Sequence, residues 1–153
     1  MSFKNIGNVY LQANSFKEIR WKQRFQNFQK AFVIFNNRCN DLSENPEGSK
    51  YYETCQMALV QAFEILIELS WKTLKDYLEN EGFSELYTGK KVFRQAFQVD
   101  VIENPEIWLK SLELRNLTGH TYDLTVVYEL CKFIIDNFSI EAKKLEKKLK
   151  SKL

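Results

Sequence analysis

The sequence holds 153 residues, of which 44% are apolar and 14% aromatic, with 12 Phe, 7 Tyr and 3 Trp against only 5 Gly and 2 Pro. That is domain-sized, with enough apolar material for a ring-rich core, and too poor in turn formers for a sandwich of short strands or a disordered linker. With 22 basic and 20 acidic side chains the net charge is only +2, too small by itself to indicate a nucleic-acid binder.

Ser15-Phe-Lys-Glu18 reads as a capping box, so the first helix is expected to open near Ser15. Trp21, Phe25, Phe28, Phe32 and Phe35 then recur at alternating steps of four and three, one apolar stripe that should run to about Cys39. Asn40 to Ser49, with Pro46 and Gly48, has the composition of a turn. A second helix is expected from Lys50 to Glu81, stopped by Gly82. Its two stripes, one through Cys55, Leu59, Ala62, Leu66 and Leu69 and one through Phe63, Ile67, Ser70, Leu74 and Tyr77, predict burial over a wide arc. A short third helix should cover Lys90 to Val101. A fourth opens at Asn104-Pro105, where proline suits the first helical position, and Gly119 should interrupt it. A last helix from about Thr121 carries Val127, Leu130, Ile134 and Phe138.

No segment alternates with period two for long enough to compete. The expected class is therefore all-α: an antiparallel up-down bundle of four to five helices, one domain over residues 1–153 with its core at about 15–145. The surplus of aromatic surface suggests a two-fold dimer. Cys39, Cys55 and Cys131 are odd in number and include no Cys-x-x-Cys, so they read as reduced thiols in a cytoplasmic protein. With one histidine, a Cys/His zinc site is not expected, and nothing calls for a cofactor. No stretch resembles a signal peptide or membrane span. The end of the last helix, 141–153, is lysine-rich, and reads either as a solvated helix end or as a basic strip attracting RNA or an acidic partner.

The segment Leu114-Arg-Asn-Leu-Thr-Gly-His-Thr-Tyr-Asp123 holds the sole histidine. On an unbroken helix Arg115 and His120 would point about 140° apart. Gly119 would let the backbone leave the helix and restart with His120 and Tyr122 at its mouth, capped by Thr121 or Asp123. His120 is the candidate general acid or base, since its imidazole titrates near neutrality. Arg115 can fork a phosphate, and Asn116 can orient either of them. The plainer readings are a polar cap for His120, a helix-dipole partner for Arg115 and a core ring for Tyr122.

Arg115, His120 and Tyr122 together resemble the Arg-x4-His-x-Tyr motif of HEPN domains. The wider pattern is Phe63-Glu64, then Glu68-Leu-Ser-Trp-Lys-Thr-Leu-Lys-Asp-Tyr-Leu-Glu79, Arg94-Gln-Ala-Phe97, Trp108-Leu109 and the Arg115 to Asp123 segment. With Arg20-Trp-Lys-Gln-Arg-Phe25 it is similar to the nucleotidyltransferase substrate-binding protein family over about residues 15–145. One departure is Leu124, where the family often has an acid. The resemblance implies a small dimeric bundle encoded beside a cognate minimal nucleotidyltransferase. It further implies a toxin that cuts RNA without a metal through Arg115, His120 and Asn116 at a shared cleft, silenced by AMP transfer to Tyr122. Gly119, Thr121 and Asp123 would support that site. The alternative it carries is a non-catalytic subunit that binds a nucleotide or substrate for the partner enzyme.

Overall fold

The computed structural model describes residues 3–117 and 123–153, and among them all regular structure is helical. In chain order these are α1 (Phe3–Glu44), α2 (Tyr52–Asn80), α3 (Gly89–Gln98), α4 (Pro105–Leu117), α5 (Leu124–Phe133) and α6 (Ser139–Lys150). α5 runs into α6 through one π-helical turn, Ile134–Phe138. The antiparallel helical bundle expected from the periodicity is the architecture observed.

α1 and α2 form a long antiparallel hairpin that supplies much of the core. Trp21, Phe25, Phe28 and Phe35 of α1 are buried, as are Phe63, Leu66, Ile67 and Leu74 of α2. The rings converge on Phe138: it meets Phe63 edge-on at 4.8 Å, Phe35 at 5.5 Å and Trp108 at 5.6 Å between centroids. Phe93 of α3 stacks on Trp108 at 4.9 Å. The π turn explains how Phe138 gets there. Ile134, Phe138 and Ala142 are all buried at successive steps of four, which a regular helix rotates by about 40° per step. One wide turn restores the register.

Several boundaries differ from the sequence expectation. The first helix does not begin at Ser15 or end at Cys39: it spans Phe3–Glu44, 42 residues and about 63 Å. Nothing between residues 3 and 14 breaks a helix except Gly7, so Ser15 lies within helical backbone and its capping box is not used. At the other end, the first residue unable to donate a helical hydrogen bond is Pro46, and Asn40 to Glu44 stay helical despite their turn-like composition. α3 stops at Gln98, short of Val101, because Asp100 takes the left-handed conformation (φ 60°) while the Val101 N–H returns to the Ala96 carbonyl at 2.9 Å. Asn104 precedes Pro105 as expected, but its amide nitrogen donates to Glu141 Oε1 at 2.7 Å.

The end of α2 follows the expectation. Gly82 sits at φ 97°, its N–H donates to the Glu79 carbonyl at 3.1 Å, and that of Phe83 to the Leu78 carbonyl at 3.0 Å, a Schellman stop. At this level α1 and α2 are braced by charge. Asp76, buried on α2, receives Arg24 Nε at 2.5 Å and lies 3.3 Å from Arg20 Nε, while Arg20 also pairs with Glu79. α2 ends here. α1 does not, and from Gly7 to Arg20 every residue is exposed.

Candidate functional site

The site is built where the end of α4 lies against the middle of α2. Arg115 is in the last turn of α4, where a cation complements the negative end of the helix dipole. Its Nε lies 3.7 Å from Glu68 Oε2 on α2. Glu68 has two further partners on its own helix. The Trp71 indole N–H donates to Oε2 at 3.1 Å, and the Lys72 ammonium reaches Oε1 at 3.1 Å. These follow from helical geometry, since positions three and four beyond Glu68 share its face.

Partial burial alone would raise the Glu68 carboxyl. The Trp71 hydrogen bond, the Lys72 contact and the Arg115 charge outweigh it and hold the group below the ordinary glutamate value of 4.5. Glu68 is therefore ionised across the physiological range and grips the guanidinium from its Nε edge. Trp71 is itself wedged: a Cβ added at Gly89, the first residue of α3, would lie 3.4 Å from its ring and 3.1 Å from Leu112. Glycine here lets α3 pack closely over the Trp71–Leu112 contact.

Of the residues singled out in the sequence, the structure places three. Arg115 is part-exposed and oriented as described. Asn116 is exposed and lies about 100° further round the helix, so it does not share the Arg115–Glu68 face. Asp123 caps α5, its carboxylate accepting the Thr125 N–H at 2.9 Å. The expectations for Gly119, His120, Thr121 and Tyr122 fall outside the described residues. Glu68, Trp71 and Lys72 had entered only as part of a family pattern with no role attached. Their i, i+3, i+4 spacing was the signal available, but the partner on α4 was not readable from it.

The other face of the α4 end borders an apolar groove of about 450 Å3. Leu114 and Leu117 of α4, Met57 and Val60 of α2, and Val126, Leu130 and Phe133 of α5 line it, with Lys110, Lys132, Glu129 and Asp136 also in the lining. The Lys110 ammonium sits 5.2 Å over the Phe133 ring. Among the described residues no group of His, Cys, Asp and Glu is arranged to hold a metal ion, and no helix is long and apolar enough to cross a membrane. The three cysteines are free. Burial pushes the Cys39 and Cys131 thiols up to about 11, and for Cys131 the neighbouring Cys39 adds to it.

A helical bundle with a guanidinium held at one helix end is thus the class of protein that the fold and the site define. The family described as nucleotidyltransferase substrate binding protein like matches residues 23–151. The chain belongs to that family. A Haemophilus influenzae (strain Rd) protein named "Probable ribonuclease HepT" is 30% identical over 107 residues, 65% of this chain and 70% of the relative. A solved structure from Haemophilus influenzae, described as the fold of a substrate binding domain of a nucleotidyltransferase, is 27% identical. It superposes with a TM-score of 0.62 over 85% of this chain and 96% of its own.

Proposed function

We propose that this chain is a ribonuclease of the HEPN type, a toxin that cuts RNA without a metal and is held silent by a cognate minimal nucleotidyltransferase. The observation that carries the reading is Arg115. An oriented guanidinium stands at the end of α4, five residues before the sole histidine, in a chain 30% identical to a relative named as a ribonuclease. In the reaction His120 takes the proton of a ribose 2′-hydroxyl and the oxygen attacks the adjoining phosphorus. The bond to the 5′ oxygen breaks, and that oxygen leaves with a proton. The products are a 2′,3′-cyclic phosphate and a 5′-hydroxyl. Arg115 offers parallel donors to the phosphorane oxygens, where charge builds in the transition state. One imidazole cannot be base and acid at once. A two-fold dimer with both Arg115–His120 segments at one cleft supplies the second.

Regulation follows from Tyr122. The nucleotidyltransferase transfers AMP from ATP to the tyrosine oxygen, which loses its proton as pyrophosphate leaves. The new phosphodiester adds a negative charge seven residues beyond Arg115 in the sequence, within the motif, and would repel the RNA backbone.

The test is cleavage of single-stranded RNA in EDTA by the protein free of its partner, with the 3′ ends analysed for cyclic phosphate. Arg115→Ala and His120→Ala should each lower the rate by about 10² to 10⁴ with unfolding unchanged. Incubation with the partner enzyme, ATP and magnesium should add one AMP mass, absent in Tyr122→Phe. A wild type inert on varied RNAs and harmless on expression overturns the ribonuclease reading. It would favour a binding subunit instead, as the description of the solved relative suggests.

A further inference from the structure

The last helix ends in a charge imbalance that the site just described does not use. With six lysines against two glutamates, residues 141–153 carry a net +4 in a chain whose total is +2, so the rest of the chain is net negative. The two acids on α6 do not offset these lysines. Glu141 is buried and engaged by Asn104 and Lys144, and Glu146 accepts from the Gln29 side-chain amide at 3.2 Å. Lys143, Lys147 and Lys150 are exposed, with no carboxylate at ion-pairing distance among the described residues. Elsewhere helical lysines are matched four residues away: Lys22 by Glu18, Lys72 by Glu68, Lys75 by Glu79. Complementing the helix dipole accounts for cations in the last turn, but Lys143 lies about two turns further in.

We infer that this ridge of α6 is a track for an RNA backbone, a second contact beyond the Arg115 site; RNA as its ligand rests on the ribonuclease reading. Positions 143, 147 and 150 fall within about 60° of one another round the helix, on the side away from the buried Ala142, Leu145 and Leu149. They therefore form one row, with neighbours about 5–6 Å apart at Cβ. The chemistry of the row selects phosphates over a protein surface. Protein interfaces are enriched in aromatic residues and arginine and depleted in lysine. α6 has no aromatic residue and no arginine, its leucines face inward, and Ile140 is its one exposed large apolar side chain. Without rings there is no platform for base stacking, so the contact is to the backbone and carries no sequence preference. A lipid surface is the poorer fit, because the apolar face that an amphipathic helix inserts is already sealed in the bundle. The position suits a substrate longer than the site. The last helix runs antiparallel to α4: Lys110 lies over Phe133, Trp108 meets Phe138, and Asn104 bonds Glu141. Arg115 is eleven residues beyond Asn104, so Lys143 stands about 20 Å from it along the bundle and Lys150 about 30 Å. At roughly 3.4 Å of strand per nucleotide, that is about six to nine nucleotides.

The test is salt-dependent binding of the full chain to a 2′-O-methyl RNA of about 20 nucleotides, long enough to span both contacts and without a 2′-hydroxyl to attack. Lys143→Gln, Lys147→Gln, Lys150→Gln together should lower the slope of log affinity against log salt by about 2, and weaken binding about tenfold or more at low salt. Lys143→Arg, Lys147→Arg, Lys150→Arg should keep the wild-type slope. All three side chains are exposed, so thermal unfolding should not change in either variant. On cleavable RNA the glutamine variant should raise KM for the long strand with kcat kept, and leave a tetranucleotide unaffected. An unchanged salt slope overturns the inference. So does a wild type that ignores the RNA and binds a polyglutamate peptide through the same lysines, which would mark an acidic protein partner. RNA cleavage with an unchanged slope removes the track and leaves the ribonuclease reading standing. A lysine-dependent slope in a protein that cuts no RNA does the reverse.

Discussion

The two halves of α1 use the same residue types to opposite ends. Between Trp21 and Leu42 one stripe, Trp21, Phe25, Phe28, Phe35 and Leu42, is sealed within the bundle, whereas from Gly7 to Arg20 an equally apolar arm stands wholly in solvent. The helix itself does not change at the boundary. What changes is the neighbour: α2 ends at Asn80, beside Arg20 and Arg24. Apolar periodicity states that a surface needs cover. It does not state whether the cover comes from the same chain.

The contrast can be broken most directly by stability. Phe28→Ala should cost about 3–5 kcal/mol in urea unfolding, since the ring is fully buried and a cavity remains. Phe16→Ala, on the same helix, should change bundle stability by less than about 0.5 kcal/mol. Similar losses at both positions would mean that the arm packs within its own bundle. Next in size is the boundary itself. Asp76→Ala leaves two arginines without their buried acceptor and should cost about 2 kcal/mol, while the far side of the bundle stays packed.

Thiol chemistry sharpens the same comparison. Cys39, on the buried half of α1, is pushed up to about 11, so at pH 8 its thiolate fraction falls about 100-fold below that of an unshifted thiol. Iodoacetamide should alkylate an Asn14→Cys arm variant promptly and spare Cys39 until denaturant is added. Mass mapping of the labelled peptides reads both at once. The smallest effect expected is at Glu68. Its carboxyl is held below 4.5, so its contribution is fully present above that value and is lost as the pH falls through the lower folded-state value. In Arg115→Ala the midpoint, followed by carboxyl carbon NMR, should move up toward 4.5. A midpoint that does not move would separate Glu68 from Arg115.

The helical class, the two stripes of α2 and the Gly82 stop were readable because each is local: a period or a backbone conformation specified within a few residues. The start of α1 was misread for the same reason. Ser15-Phe-Lys-Glu18 is a sound capping signal, but a cap operates only where the preceding chain leaves the helix, and residues 3–14 do not. Arg115 was legible as a candidate from its motif, whereas its grip by Glu68 joins positions far apart in sequence and needed the packing of α4 on α2. The π turn at Ile134–Phe138 was not legible, because Ile134, Phe138 and Ala142 step by four just as the buried Leu59, Phe63 and Ile67 do in the regular helix α2.

That turn also bears on how the chain folds. Phe138 closes contacts with Phe63 on α2 and with Phe35, roughly 100 residues upstream on α1. The α1–α2 hairpin can zip from its short connection early, with little loop to close. The ring hub at Phe138 waits for the C-terminal helix to return across the whole hairpin. The order of events is therefore hairpin first and hub last, with the π turn acting as the latch of the final docking step. Substitutions at Phe138 should accelerate unfolding far more than they slow folding, whereas those at Phe28 should weigh on the folding rate.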